Sequence, residues 1–264
     1  MKKLLAVTAF FVSSIAPSFA APLTFNSALN AGISAFDSAI TGTGATVATV
    51  ALVANQSQYS YTDKSGAAAT VTISRTDGAS IGWESGYSSG ATSLNGAVVN
   101  INPAAAGSDP VPGYGSGLTF TFSSAINAFG FEIGDWATCC QNSTRPQSVV
   151  DAFGVPADGT GLWIGFNGGA LRLIANSTDP NGLDNPGWAD SNSFTNFIAS
   201  IDDSGDFTSV TFFGDGFGEF LVAGGTLRFA SVAQGSVSEL PEPGSLVLFA
   251  LAFAGLVAVR KRKV

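Results

Sequence analysis

The chain of 264 residues carries 11 Lys+Arg against 19 Asp+Glu, a net charge of −8, and contains no histidine. Without histidine there is no Ser-His-Asp or Cys-His catalysis and no His-ligated zinc. The acidity excludes a nucleic-acid partner held by phosphate neutralisation.

At the N-terminus, Lys2-Lys3, the mostly apolar run Leu4–Ile15 and the small-x-small site Ser18-Phe19-Ala20 predict a signal peptide over residues 1–20. It would pass the Sec translocon and be cut between Ala20 and Ala21. With Lys2, Lys3 and Arg260–Lys263 set aside, residues 21–243 hold five cations against 19 carboxylates, a net charge of −14. That balance suits a secreted soluble protein, or one that collects divalent cations.

Residues 21–236 form one body, long enough for a single large domain with its own core. The 21 phenylalanines fall at periodic positions and the 32 glycines cluster between them, a pattern of many short strands joined by tight turns. Phe25, Leu29, Ile33 and Phe36 recur at helical spacing, so an amphipathic helix is expected there, capped at Asn26 or Ser27 and ended by Gly42–Gly44. Thr46–Val53 reads as a buried strand, and Tyr59–Tyr61 is expected to pair with Thr70–Ser74 across a turn at Asp63–Gly66. Between Asp77 and Gly117 only Val98–Ile101 is clearly strand-like.

Strict alternation follows in Leu118-Thr-Phe120-Thr-Phe122 and in Phe129-Gly-Phe131-Glu-Ile133. A short turn around Ser124–Asn127 would join them as an antiparallel hairpin with one face in the core. Leu162, Ile164 and Phe166 alternate up to Asn167-Gly168-Gly169, and Leu171 and Leu173 alternate away from it, a second hairpin with the strongest short-range turn signal. Phe197–Ile201, Val210–Phe213, Gly218–Val222 and Leu227–Phe229 complete about ten strands. The expected fold is all-β, an antiparallel β-sandwich or jelly roll.

Few residues point to chemistry. Cys139 and Cys140 are adjacent, so they are not a C-x-x-C redox pair. A vicinal disulfide, pairing between molecules and buried thiols all stay open, although neighbouring Cα atoms lie closer than a disulfide prefers. Asp202, Asp203 and Asp206, with Asp215 and Glu219 further on, could supply oxygens to calcium, although their spacing is not that of an EF-hand. The alternative is solvated turn residues. Trp83, Trp136, Trp163 and Trp188 could stack on sugar rings if exposed. Trp163 alternates against Leu162 and Ile164 and so is placed on the outer face. Exposed carboxylate pairs offer little to a glycoside hydrolase, which needs one acid of raised pKa.

The last stretch, residues 237–264, has three parts in order: Pro241-Glu242-Pro243, the apolar run Leu246–Val259, and Arg260-Lys261-Arg262-Lys263. The prolines break regular structure and leave an extended, protease-accessible segment. The apolar run spans only about 21 Å as a helix against a hydrocarbon core of roughly 30 Å, but it has no polar stripe and fits a single transmembrane helix better than a core one. The four cations would hold their end in the cytoplasm as a stop-transfer signal.

This arrangement resembles the PEP-CTERM tail of surface proteins of Gram-negative bacteria. The resemblance implies that an exosortase reads Pro241, Glu242 and Pro243 and processes an inner-membrane-anchored precursor for the cell surface or matrix. It differs from the LPxTG tail read by sortases, because Pro243 stands where that motif needs threonine. The segment Gly117–Trp136 is also similar to β-sandwich bodies attached to such tails. The expected function is a non-catalytic surface or matrix protein associated with extracellular polysaccharide in biofilm. The alternative is a carbohydrate-binding module, calcium-assisted or not, and a glycoside hydrolase is a remote third.

Overall fold

Alternation of large apolar with small or polar residues buries one face of each strand, and two such faces closed on each other make the core. The computed structural model describes residues 22–85, 95–101, 117–134, 144–178, 194–214 and 221–237. They form two antiparallel sheets. The six-stranded sheet runs β10 (Arg172–Ser177), β9 (Thr160–Phe166), β12 (Phe207–Gly214), β7 (Leu118–Ile126), β4 (Ala68–Arg75), β3 (Gln58–Thr62). The other runs β1 (Leu23–Ala28), β11 (Phe194–Ile201), β8 (Ala128–Gly134), β13 (Leu221–Ala230), β6 (Val98–Ile101), β5 (Trp83–Glu84). A seventh strand, β2 (Ala48–Ala51), shares one side of β13 with β6: Thr226–Phe229 pair with β2 and Leu221–Gly224 with β6. The expected all-β sandwich is therefore present, with more strands than the sequence suggests.

The expected hairpin between the two phenylalanine rows is overturned. The run from Leu118 to Ile133 is not a hairpin. β7 pairs with β4 and β12, whereas β8 pairs with β11 and β13 in the opposite sheet. The chain crosses the sandwich at Asn127, so the two phenylalanine rows face each other across the core instead of lying side by side. Phe120 and Phe129 have ring centroids 4.7 Å apart, Phe122 and Phe129 5.7 Å, and Phe131 and Phe212 4.5 Å. No residue from Ser124 to Asn127 has the positive φ that a tight two-residue hairpin turn demands.

Asn127 is fully buried and holds the crossing through its side chain and its backbone. Its Nδ2 donates to the Val232 carbonyl at 2.8 Å and its Oδ1 accepts the Val232 amide at 2.7 Å. Its own amide donates to Ala230 O at 3.0 Å and its carbonyl accepts the Asp202 amide at 2.8 Å. A buried amide is tolerated only when satisfied in this way.

The hairpins at β3–β4 and β9–β10 are present as expected. Tyr59 pairs with Val71 and Tyr61 with Ala69. Asn167 and Gly168 have φ of +50° and +68°, and the Gly169 amide closes the turn on Phe166 O at 2.8 Å. This is the type I′ geometry that an Asn-Gly pair favours. A bulge between Leu173 and Ala175 breaks the register of β10 on β9.

The amphipathic helix is also present but starts later. α1 covers Leu29–Thr41 with Ala28 at its N-cap, and neither Asn26 nor Ser27 caps it, because both belong to β1. Phe25 lies on that strand, yet its ring still meets Phe36 edge-on at 5.5 Å. α1 lies on the outer face of β11 and β1, burying Leu29, Phe36 and Ile40 with Phe197, Ala199 and Ile201. Gly32 permits this approach: a Cβ there would sit 2.6 Å from Ser27 Oγ and 2.8 Å from Phe197 Cβ. β2 is shorter than the expected strand, and Val50 alone is buried within it, since its outer face has no cover.

Candidate functional site

The acidic turn is used structurally. Asp202 Oδ1 accepts from Ser204 Oγ at 2.5 Å and from the Ser204 amide at 3.3 Å, the pattern of an aspartate closing its own turn. Asp203 is buried, and its Oδ2 accepts the Val237 amide at 2.6 Å. Asp206 Oδ2 stands 4.0 Å from Lys64 Nζ at the solvent-exposed surface. The three carboxylates thus engage separate partners. Among the described residues no group of three acidic or cysteine side chains could hold a metal ion. Asp215, Glu219 and the Cys139-Cys140 pair lie outside the described residues.

Trp163 does lie on the outer face of its sheet, as its alternation demands, but it is not available to a ligand. Helix α2 (Gln147–Phe153), which the sequence analysis does not anticipate, covers it. Val149 and Phe213 pack beside its indole, and Phe153 meets it edge-on at 5.1 Å. Arg145, just ahead of α2, fixes the covering segment: it donates to Pro156 O at 2.9 Å, Asp158 O at 3.1 Å and Asn176 Oδ1 at 2.5 Å. Trp83 is half-buried against the main core, and Trp136 and Trp188 lie outside the described residues.

A cleft opens elsewhere, near the Asn127 crossing. The inward-facing residues of β7 are Leu118, Phe120 and Phe122, and then Ser124; those of β2 are Val50 and then Ala48. Where small residues replace phenylalanine the two sheets are no longer filled. A cavity of about 730 Å³ opens to solvent between β2 and β3, floored by Phe229 and Ile126 and walled by Tyr61. The Tyr61 ring rests edge-on against Phe229 at 4.7 Å, and its hydroxyl donates to Ser124 O at 3.2 Å.

The rim is rigid for an identifiable reason. Asp63 Oδ1 accepts the Ser65 amide at 2.9 Å, Ser65 Oγ at 2.6 Å and the Ala67 amide at 3.0 Å, while Oδ2 accepts Ser124 Oγ at 2.9 Å. The hydroxyls of Ser65 and Ser124, with the Ala67 and Ser65 amides, hold its carboxyl down at about 2. Asp63 is therefore an ionised brace that ties the β3–β4 turn to β7.

A second electrostatic feature lies under α1. Glu132 projects from β8 to the buried outer face, where burial pushes its carboxyl up to about 7 against the pull of the Arg228 guanidinium and the Thr226 amide. Arg228 Nη1 donates to Asp37 Oδ2 on α1 at 2.6 Å. Glu132 Oε2 has no hydrogen-bond partner among the described residues.

The described residues thus define an antiparallel β-sandwich with a ligand-sized cleft at its edge. Residues 239–263 match the family model for the PEP-CTERM protein-sorting motif, at the C-terminal position where the sequence places it. This motif indicates an exosortase-sorted surface or secreted protein, with exosortase as processing partner. Pro241–Pro243, Leu246–Val259 and Arg260–Lys263 lie outside the described residues, as do Ala20 and Ala21, and no helix among the described residues is long and apolar enough to cross a membrane. No curated protein and no solved structure matches the chain.

Proposed function

We propose that the protein is a non-catalytic component of the cell surface or extracellular matrix of a Gram-negative bacterium. In this reading it is exported behind a cleaved signal peptide, anchored briefly in the inner membrane by Leu246–Val259 and processed by an exosortase at Pro241-Glu242-Pro243. The sandwich body then works outside the cell in association with extracellular polysaccharide. The observation that carries this is the PEP-CTERM motif at residues 239–263. The net charge of −12 on the body, residues 21–236, agrees with an exported soluble protein. Reporter fusions test the route. A phosphatase fused after Gly235 should be active and one fused after Val264 inactive, because Arg260–Lys263 would keep that end in the cytoplasm. An active Val264 fusion, or an inactive Gly235 fusion, would contradict it.

A further inference from the structure

We propose that the cleft between β2 and β3 binds a neutral saccharide, one or two pyranose rings of an uncharged polysaccharide, and is the place where the body meets the extracellular matrix. The inference rests on the polysaccharide association proposed above and adds the site and the ligand class. Its volume, about 730 Å³, falls within the ~300–1,000 Å³ of small-molecule sites. Its chemistry is mixed in the way a sugar requires. Apolar carbon surface comes from Tyr61 and Ala48, while hydroxyls and backbone amides come from Thr46, Thr62 and the surrounding turns.

The charges argue for a neutral ligand. The cleft offers one cation, Lys64, and one anion, Asp63, whose lone pairs are already committed to Ser65, Ala67 and Ser124. Around them the body, residues 21–236, carries −12, which repels a polyanion at long range. A long apolar ligand fits no better, since Thr46, Thr62, Asp63 and Lys64 interrupt the apolar lining. The wall also needs no rearrangement to receive a ligand, because the Asp63 brace and the Tyr61 hydroxyl bond fix it in place.

The test uses the chain without residues 1–20 and 239–264, which keeps Val237, its packing against the second core cluster and its bond to Asp203. Binding is measured by calorimetry to neutral tri- to hexasaccharide fragments of glucan, mannan and galactan, with uronate oligosaccharides as the anionic arm. Ala48→Trp fills the cleft from an edge strand; Thr62→Ala with Lys64→Ala strips the exposed rim without touching the core. Binding of a neutral fragment that Ala48→Trp weakens at least tenfold, and the rim variant at least threefold, supports the site. Unchanged binding in both variants would overturn the cleft while leaving the polysaccharide association intact. Binding of uronates alone would overturn the ligand class. No binding to either arm by the unaltered body would overturn the site together with the association it rests on. Melting temperatures of both variants within about two degrees of the parent ensure that loss of binding is not loss of fold.

Discussion

Replacing Phe129 with alanine should destabilise the body by about 3–5 kcal/mol, the range for deleting a large aromatic side chain from a packed core. Phe129 is fully buried on β8, and its ring meets Phe120 at 4.7 Å, Phe122 and Phe212 at 5.7 Å, and Phe131 at 6.0 Å. Phe120, Phe122 and Phe212 belong to the opposite sheet, so the substitution removes contacts that hold the layers together. The surrounding rings stand on strands fixed by their own ladders and cannot all move in to fill the void. Urea unfolding with an unchanged m-value would report the loss directly. A loss below about 1 kcal/mol would mean that β7 and β8 do not face each other across the core.

The second large effect is on pH dependence. In the folded protein the Glu132 carboxyl is pushed up to about 7 from an ordinary 4.5, mainly by burial. Below pH 4.5 both folded and unfolded chains hold this proton and the group costs nothing. As pH rises, the unfolded chain ionises freely while the folded one retains the proton, so stability falls between about pH 4.5 and pH 7. At about 1.4 kcal/mol per pH unit the full loss is about 3 kcal/mol. Asp63 and Asp77, both held down to about 2, act in the opposite direction but below this window. Glu132→Gln should therefore flatten the stability curve between pH 4.5 and 7 and leave the variant the more stable protein at pH 8. Parallel curves for the two proteins across that window would contradict the buried placement of Glu132.

What the sequence showed and what it hid divide along a physical line. The turn at Asn167-Gly168 is local: two residues with φ above zero choose the hairpin whatever surrounds them. The alternation of Leu118 to Phe122 and Phe129 to Ile133 is local too, and both rows are indeed buried. Which strand each row pairs with is not local. Strict alternation looks the same in a hairpin and in a chain that crosses between sheets, and Asn127 reveals the crossing only through partners far along the chain, such as Asp202 and Val232. Trp163 shows the same limit. Its outward direction follows from the period of the strand, but its burial depends on α2, a helix too short for a periodic signal. The cleft begins where Ser124 ends a row of large inward residues, and a serine beside Ala125 and Asn127 carries the same local signal in a strand as in a turn. The tail was the most legible part, since three short chemistries in fixed order need no tertiary context.

The claim on which the functional reading turns is that Pro241, Glu242 and Pro243 are read by an exosortase. Changing all three to alanine removes the prolines that disfavour regular structure, so that the helix expected over Leu246–Val259 would be able to extend upstream through the proposed recognition site. The decisive measurement is fractionation with immunoblotting of the native and triple-alanine chains in a host that carries the exosortase. The expected result is native body at the surface or in the medium, and triple-alanine chain accumulating at full length in the inner membrane, with the melting temperature of the isolated body unchanged. Release of the triple-alanine chain at the native level and length would contradict it.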